Sequence, residues 1–518
     1  MTDTTATLPA AQPQTKSTSW GTWRKLHKIA GLAAMAWLSV LGLTGWILNH
    51  HEWRWTHQWT VPSSITSTAI NRLVRGTVMR QVMADPNDAN RYLGASERGL
   101  WVTADNGATW TDVVWEGADG LPQSYDFVSG PSGDLSHVWL GTDDGIWIVK
   151  DNGTRAVPFA LRGHDITSLT AGSAPGELVG VEHYGRIFRL DTQAPDKITW
   201  TNVDNVQVSG LPDSLSLPTF TLDLHVGTGT LPQPWSQIIN DYSGISIFIL
   251  SVTGLVFWWL PRRWRNQNPK GQLKSRQKVL RWLYRGHGPI VGILAIIPVL
   301  YISITGIMVD HINALLENAK HIDLPREALP SIYDYESLNG EINDVIAYSG
   351  APEQLTIATR LGVFNSGDSG KTWTAERAVG EGDGTDASNV NLIRRGDVVL
   401  IGAGSIGQFY RRDGQERFTP LKVNGPKLAV TDVTTRGERW FIKMSRSMYA
   451  ADSLDGTFED TKIAYPPLAG TTVFLFLADI HTGNIIHTQW KWVNNLVGAL
   501  AIFLAISGPV VWWRRKWV

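Results

Sequence analysis

Six of the thirteen histidines stand at the ends of long apolar segments, and they fall into matching places in the two halves of the chain. The resulting pairs are His27 with His287, His50 with His311, and His225 with His481. A neutral imidazole is a common axial ligand of haem iron, and a helical bundle can hold the cofactor between two such ligands. Each pair is therefore a candidate for binding one haem b.

The spacing of the histidines along one segment predicts that the pairs form separate sites. His27 and His50 are about 23 residues apart, which corresponds to about 35 Å along an α-helix. One haem cannot bind both, so we expect the His27 pair at one membrane face and the other two pairs at the opposite face. This arrangement suits electron transfer across a bilayer through two haems, although the sequence leaves the pairing open.

The histidines also have simpler interpretations. A histidine at a membrane interface is often only an amphipathic anchor, and duplication copies neutral residues along with functional ones. The alternative is a non-enzymatic membrane receptor or accessory protein, whose outer domain binds a ligand or a partner protein. A transporter built from the duplicated helices is a third possibility, but charged residues inside the spans are missing.

Four apolar segments can cross a bilayer as helices, at 29–48, 242–260, 288–309 and 492–513. A helix that crosses about 30 Å of hydrocarbon needs about 20 apolar residues. The stretch 261–287 carries nine Lys and Arg and no acidic residue. Basic residues beside the first and last segments fall on the same side, so both termini are predicted to be cytoplasmic.

The expected fold is membrane α plus all-β, with four transmembrane helices in two duplicated pairs. They carry an outer β-propeller-like domain built from two insertions. The predicted parts are a cytoplasmic N-terminal tail (1–26), helix 1 (27–50), the first outer β domain (51–239), helix 2 (240–260), a basic cytoplasmic loop (261–287), helix 3 (288–310), the second outer β domain (311–490), and helix 4 with a cytoplasmic tail (491–518).

Each outer segment contains one octapeptide of the pattern Ser/Thr-x-Asp-x-Gly-x-Thr-Trp, at 103–110 and 366–373. These resemble Asp-box (BNR-type) turns, in which Asp caps a hairpin, Gly takes a positive φ and Trp packs between strands. The structural residues are Asp105, Gly107, Trp110, Asp368, Gly370 and Trp373. Strand–turn–strand units recur about every 40 residues, which is typical of propeller blades. One composite propeller and two smaller β domains are both compatible with the pattern.

The composition excludes several kinds of site. The chain has no cysteine, which rules out iron–sulfur clusters, thiolate zinc sites and covalent haem. The formal net charge of −1 argues against nucleic acid as a partner.

Short motifs around the spans resemble the PepSY-associated transmembrane family. They are the His27-x-x-x-Gly31 pattern, the Thr-Gly near the end of each odd span, and an Asp-h-His-x-Gly motif before each even span, which ends in Trp-Trp. Within that family the chain is most similar in character to the inner-membrane ferric-siderophore reductases. The resemblance implies haem ligands at His27, His287, His225 and His481, with His50 and His311 as further candidates.

The same resemblance implies the setting of the protein. It is expected in the bacterial inner membrane, in contact with lipid, with the outer domain in the periplasm. The implied partners are a ferric-siderophore or other ferric chelate and an unidentified cytoplasmic or membrane electron donor. Catalytic residues beyond the haem ligands are unknown from the sequence. The Asp-box turns stand where the family usually has a PepSY-like module.

Overall fold

The computed structural model describes residues 18–70, 79–96, 98–130, 133–265, 273–319, 321–376, 390–403, 407–425, 430–444, 447–464, 466 and 470–515. The chain divides into two compact units. We call them the helical unit (Met1–Trp46, Ile239–Asp310 and Lys491–Val518) and the β unit (Ile47–Ile238 and His311–Trp490). Most of the predicted N-terminal tail and the last three residues lie outside the described ranges.

The β unit combines both predicted outer segments in one body. The α-helices of the described residues are α1 (Thr18–Leu48), α2 (Arg54–Gln58), α3 (Leu217–His225), α4 (Trp235–Arg265), α5 (Leu273–Arg285), α6 (Ile296–Val309), α7 (Ile312–Asn318), α8 (Val473–Thr482) and α9 (Lys491–Arg515).

Three helices within the described residues are long and apolar enough to cross a membrane, over Gly21–Leu48, Trp235–Trp264 and Lys491–Trp513. The predicted third span, 288–310, is not one straight helix. The segment Ser275–Gly292 meets α6 at an angle of 66°, and Gly286–Gly292 winds as a π-helix around Pro289. A proline that cannot donate its backbone N–H explains this break. The number of spans is four if this bent pair counts as one.

Glycine contacts and polar side chains hold the helical unit together. A Cβ on Gly42 of α1 would lie 2.6 Å from the Gly244 carbonyl oxygen of α4, so these helices touch through their backbones. Trp37 of α1 donates to Asn494 Oδ1 of α9 at 2.7 Å. Tyr301 of α6 donates to Asn240 Oδ1 of α4 at 2.6 Å. The two helix pairs are therefore linked by equivalent hydrogen bonds, as expected for a duplicated bundle.

Six mainly antiparallel sheets make up most of the β unit, and three of them add a short parallel strand at one edge. Two short ladders complete the unit. The first strands in the chain are β1 (Thr60–Val61), then β2 (Gln81–Ala84), β3 (Tyr92–Ser96), β4 (Gly99–Thr103) and β5 (Thr111–Asp112) of sheet 1. Sheet 2 contains β6 (Val114–Trp115), β7 (Ser124–Ser129), β8 (Val138–Thr142), β9 (Gly145–Lys150) and β10 (Arg155–Ala160). Sheet 3 contains β11 (Ile166–Ala171), β12 (Glu177–Glu182), β13 (Arg186–Asp191) and β14 (Ile198–Thr201).

The second half of the chain supplies most of the remaining strands. Sheet 4 takes β15 (Gln207–Ser209) from the first half, and β16 (Ser214–Ser216) and β17 (Asp323–Pro325) form a short ladder. Sheet 4 continues with β18 (Ile342–Tyr348), β19 (Ala351–Thr359), β20 (Gly362–Ser366) and β21 (Thr372–Ala375). Sheet 5 contains β22 (Asn391–Arg395), β23 (Val398–Ala403), β24 (Gly407–Arg412) and β25 (Thr419–Pro420). Sheet 6 contains β26 (Lys422–Val423), β27 (Val430–Arg436), β28 (Arg439–Met444), β29 (Ser447–Ala451) and β30 (Thr457–Asp460), and β31 (Thr471–Thr472) pairs with β1.

The six sheets are arranged in a propeller-like ring. The first full strand of each sheet contacts that of the next, in the order β2, β7, β11, β18, β22, β27 and back to β2. Carboxylates join neighbouring sheets by hydrogen bonds. For example, Asp432 of sheet 6 accepts from the Val82 backbone N–H of sheet 1 at 2.9 Å. Both outer segments therefore build one composite structure, which answers the question that the sequence left open.

Each of the two short ladders pairs a strand from the first half of the chain with a strand from the second half. β1 follows α1 in the first half and pairs with β31 near the end of the second half. β16 lies at the end of the first outer segment and pairs with β17, which follows the second odd span. β31 and β16 lead directly into α8 and α3, so each of these short helices is positioned by strands from both halves.

Candidate functional site

The first histidine pair lies in the helical unit. The imidazole Nδ1 of His27 on α1 is 2.7 Å from the Oγ of Ser507 on α9. The Nδ1 of His287, in the π-helical segment, is 2.9 Å from the Oγ1 of Thr253 on α4. The two imidazoles are close enough to interact electrostatically. The structure therefore brings together the pair that the sequence predicts, and gives each member an equivalent hydroxyl partner.

The hydrogen bonds at Thr253 fix the tautomer of His287. The Thr253 hydroxyl donates its single proton to the Ile249 carbonyl oxygen at 2.6 Å, so it can only accept from the imidazole. His287 then carries its proton on Nδ1 and leaves the lone pair of Nε2 available. A neutral imidazole with an oriented Nδ1–H is the form that binds a metal through Nε2.

A glycine backbone lies against each ring. A Cβ on Gly254 would lie 3.3 Å from His287 Cε1, and a Cβ on Gly508 would lie 3.6 Å from His27 Cε1. Each glycine directly follows the hydroxyl residue that holds the histidine. A flat cofactor against these imidazoles needs such side-chain-free backbone, so the residues present fit a haem.

The second pair, His225 and His481, lies at the ends of α3 and α8 in the β unit. His225 is the last residue of α3. His481 lies in the last turn of α8, whose C-cap Gly483 has φ +74°. The glycine of the Asp-h-His-x-Gly motif thus ends each helix in a left-handed conformation that other residues adopt only with strain. The two imidazoles lie near enough that a charge on His481 would lower the pKa of His225.

Both imidazoles of the second pair are neutral at physiological pH. Burial, together with a smaller effect of the nearby His481, lowers the pKa of His225 to about 4. Burial also lowers the pKa of His481 to about 4. A metal ligand must be unprotonated, so this pair is also in the state that iron ligation requires.

The aspartate of the first motif is held by a buried charge network. Asp223 is 3% exposed and accepts hydrogen bonds from Tyr333 Oη at 2.9 Å and Arg360 Nη1 at 3.2 Å. Arg360 also pairs with Glu341 at 2.9 Å and donates to the Thr228 carbonyl oxygen at 2.7 Å. The hairpin turn between β19 and β20 therefore fixes the end of α3 and, through it, the position of His225.

The aspartate of the second motif is held by a serine. Asp479 is fully buried and accepts from the Ser67 backbone N–H at 2.7 Å and the Ser67 hydroxyl at 2.6 Å. Both aspartates therefore hold the end of a helix that carries a histidine, but they do so through different partners. The sequence shows the repeated aspartate but does not identify either partner, because both lie far away in the chain.

The third candidate pair has separate surroundings. His50 Nδ1 lies 2.6 Å from Glu52 Oε1, and the His50 ring stacks on Trp53 with a centroid distance of 4.3 Å. An ionised carboxylate accepts only, so it orients His50 as a donor through Nδ1. His311 directly precedes α7. Both remain candidates that the geometry supports less strongly than His225 and His481.

The residues of the two octapeptides form the predicted turns. Asp105 accepts from the Thr109 backbone N–H at 2.8 Å, and Asp368 accepts from the Thr372 backbone N–H at 2.9 Å. The turn glycines have the expected positive φ, +82° at Gly107 and +90° at Gly370. The tryptophans differ in burial: Trp373 is 1% exposed, whereas Trp110 is half-buried and donates to the Ala464 carbonyl oxygen at 2.7 Å. Both turns lie in the β unit.

These features define a class of protein: a membrane protein with paired histidines on apolar helices and a large β-rich domain. The sequence comparison then supplies the family. Residues 190–515 match the PepSY-associated TM region, and the chain belongs to this family.

Other comparisons are weaker. No curated protein matches the chain. Among solved structures, an ancestral GH74 enzyme shares 10% identity over 72% of this chain and 36% of its own, with a TM-score of 0.32. The extracellular domain of a hybrid two component system from B. thetaiotaomicron shares 10% identity over 74% of this chain and 41% of its own, with a TM-score of 0.34. The C-terminal WD40 domain of Sif2 shares 8% identity over 71% of this chain and 94% of its own, with a TM-score of 0.27. The chain spans less than half the length of the first two, and we draw no conclusion from these likenesses.

Proposed function

We propose that the protein is a transmembrane b-haem oxidoreductase of the bacterial inner membrane. It would accept electrons from a donor on the cytoplasmic side and pass them to a periplasmic acceptor. The most suitable acceptor class is a ferric-siderophore or another ferric chelate. Both termini and the basic loop would be cytoplasmic, and the β unit would be a periplasmic six-bladed propeller.

The proposal rests on the matching surroundings of the histidines in the two halves of the chain. His27 and His287 each have Nδ1 engaged by a hydroxyl, with a glycine beside the ring. His225 and His481 are neutral and close to each other. An interfacial anchor requires neither a partner for Nδ1 nor a glycine at the ring, so the simple alternative does not account for these features.

Two haems would be held by these four residues, His27 with His287 and His225 with His481. A haem bound by two histidines supplies a carrier for one electron at a time. The chain itself does the positioning. Ser507 and Thr253 orient the first pair, and the Asp223 and Asp479 anchors fix the helix ends that carry the second pair.

Reoxidation by a ferric chelate tests the acceptor. Purified full-length protein is reduced with a limiting amount of dithionite and mixed anaerobically with ferric citrate or a ferric hydroxamate. We expect the reduced α band to decay while a ferrous chelator develops its colour. Substitution His225→Ala should abolish this reaction, whereas the exposed histidine variant His321→Ala should behave as wild type. A reduced protein that reoxidises no faster with ferric chelate than without it would contradict this acceptor.

A ligand-binding role for the β unit is the second candidate. Residues from all six sheets line an open cavity of about 720 Å³, a size typical of small-molecule sites. In a receptor, ligand binding would persist in a protein that contains no haem. Haem content therefore separates the two functions.

A further inference from the structure

The helix α5 (Leu273–Arg285) separates basic residues from apolar ones. It contains five Lys and Arg and no acidic residue, together with large apolar side chains. The surrounding stretch 261–287 likewise carries no acidic residue. A helix with a basic side and an apolar side is typical of segments that lie in the interface of a membrane.

The helical unit covers only part of the apolar side of α5. Leu283 is 6% exposed, whereas Trp282 is 72% and Val279 is 39% exposed. Residues three apart lie on the same side of a helix, so Val279 and Trp282 form one open apolar strip. A topology signal needs only the basic charges, and the strip therefore calls for a separate explanation.

Three basic residues lie beside this strip. Lys278, Arg281 and Arg285 are spaced by three and four residues, which places them along one side of α5, and all three are exposed. A helix turns by about 100° per residue. All three therefore lie within about 100° of Trp282, on the side away from Leu283. The apolar strip and the cations can meet one amphipathic surface together.

The direction of α5 suits a position along a membrane surface. α6 packs beside α9, and α9 is long and apolar enough to cross a membrane. The segment Ser275–Gly292 meets α6 at 66°. Spanning helices tilt by about 20° on average, so a helix at this angle runs closer to the membrane plane than to the membrane normal.

The end of α4 places α5 at the level of the lipid headgroups. Arg262 lies over Trp258, with 4.4 Å between the guanidinium carbon and the ring centroid. Tryptophans at the end of an apolar span, followed by basic residues, mark the membrane–water interface. Arg276 of α5 contacts the same end of α4: it lies 5.2 Å from the ring centroid of Trp264 and donates to the Trp264 carbonyl oxygen at 3.4 Å.

We propose that α5 lies in the membrane surface and binds anionic phospholipid. Val279 and Trp282 enter the upper part of the acyl chains. Lys278, Arg281 and Arg285 bind the phosphate groups, because a basic residue near the surface attracts anionic lipid. The inference concerns the charge and the apolar surface of α5, so it does not depend on haem.

A fluorescent label on a single introduced cysteine tests the position of α5. The chain has no cysteine of its own, so Val279→Cys and the control Gln277→Cys each take one NBD label. The two positions are exposed and about 200° apart around the helix. In nanodiscs of the full-length protein, nitroxide lipids should quench the label at 279 at least about twice as strongly as that at 277, because an interfacial helix buries its apolar side.

The headgroup preference is tested with the label at 279. A nitroxide on phosphatidylglycerol should quench it at least about threefold more than the same nitroxide on phosphatidylcholine at equal mole fraction. The double substitution K278Q/R281Q should remove at least half of this difference. The matched control is R439Q on β28 of the β unit, whose side chain is 58% exposed, and it should leave the difference unchanged.

Equal quenching at 279 and 277 would overturn the proposal and leave the basic side of α5 as a docking surface for an acidic protein. Equal quenching by the two nitroxide lipids would also overturn it, as would a K278Q/R281Q variant that behaves like R439Q.

Discussion

Substitution Arg360→Met should destabilise the β unit and loosen the helix that carries His225. Arg360 is 7% exposed and is the cation between two buried carboxylates, Asp223 at 3% and Glu341 at 6% exposure. Methionine keeps much of the side-chain volume but leaves both acids without their counter-charge. Breaking a buried ion pair by removing one partner costs about 3–5 kcal/mol.

That cost converts into a measurable shift of the melting temperature. A β unit of about 370 residues has an unfolding entropy of about 0.8 kcal/mol/K near its melting temperature. A loss of about 3–5 kcal/mol therefore lowers Tm by about 4–6 °C. The shift should grow as pH rises. Burial raises the pKa of Glu341 to about 7 against the attraction of Arg360, and loss of Arg360 raises this pKa further. Folding of the variant therefore takes up a proton that the unfolded state has released above its own, lower pKa, and this costs more stability as pH rises.

Thermal unfolding of the purified full-length protein, followed by near-ultraviolet circular dichroism, is the assay. The matched control is Arg326→Met, which removes an ion pair between partly exposed Arg326 and Asp334 and should change Tm by about 1 °C or less. Adding D223N and E341Q to R360M should recover at least half of the loss, because the buried charges are then removed together. A Tm within 1 °C of wild type for R360M would refute the reasoning, as would a triple variant less stable than R360M.

Three other substitutions test the helix contacts and the motif glycine. Thr253→Val removes the acceptor for His287 Nδ1–H and should lower haem affinity by about 10–100-fold, measured as haem retained during dialysis against apomyoglobin. Gly42→Leu places a side chain where Gly244 packs and should reduce the yield of monodisperse protein in size-exclusion chromatography, because small residues allow these helices to touch. Gly483→Ala forces a residue with a Cβ into φ +74° and places that Cβ 2.0 Å from Trp490 Cδ1, so it should cost more than the about 1–2 kcal/mol of the left-handed backbone alone, read as a lower Tm.

Each of these variants has a control. Ser39→Ala on α1 removes a hydroxyl that donates to the Met35 carbonyl oxygen, and it should leave haem retention unchanged. Gly21→Ala has open space around the new Cβ and should elute as wild type. Gly414→Ala shares a positive φ of +83° but has no atom within 4 Å of the new Cβ, so it should cost less than Gly483→Ala. Equal effects of variant and control would contradict the corresponding contact.

Local patterns predict the parts of this molecule that depend on nearby residues. The apolar runs that form α1, α4 and α9, and the turns at Asp105 and Asp368, follow from hydropathy and from side-chain hydrogen bonding within eight residues. The repeated histidines are visible because duplication places them at the same points of both halves.

Long-range pairing is what the sequence does not reveal. His27 and Ser507 are 480 residues apart in the chain, and nothing in either local sequence specifies the other. Arg360 stands in a hairpin turn, where arginines are commonly exposed, yet the end of α3 buries it. The break at Pro289 is also missed by hydropathy, because an apolar run looks the same whether its helix is straight or bent.

The haem content of the purified protein tests the central claim most directly. Full-length protein from haem-replete cells is measured by absorption spectroscopy before and after dithionite, and a pyridine haemochrome assay counts haem b per chain. We expect a Soret shift, a sharp α band and about two b haems, with about one lost in His27→Ala or His287→Ala and about one lost in His225→Ala or His481→Ala. A colourless wild-type protein that is folded and monodisperse would contradict the account.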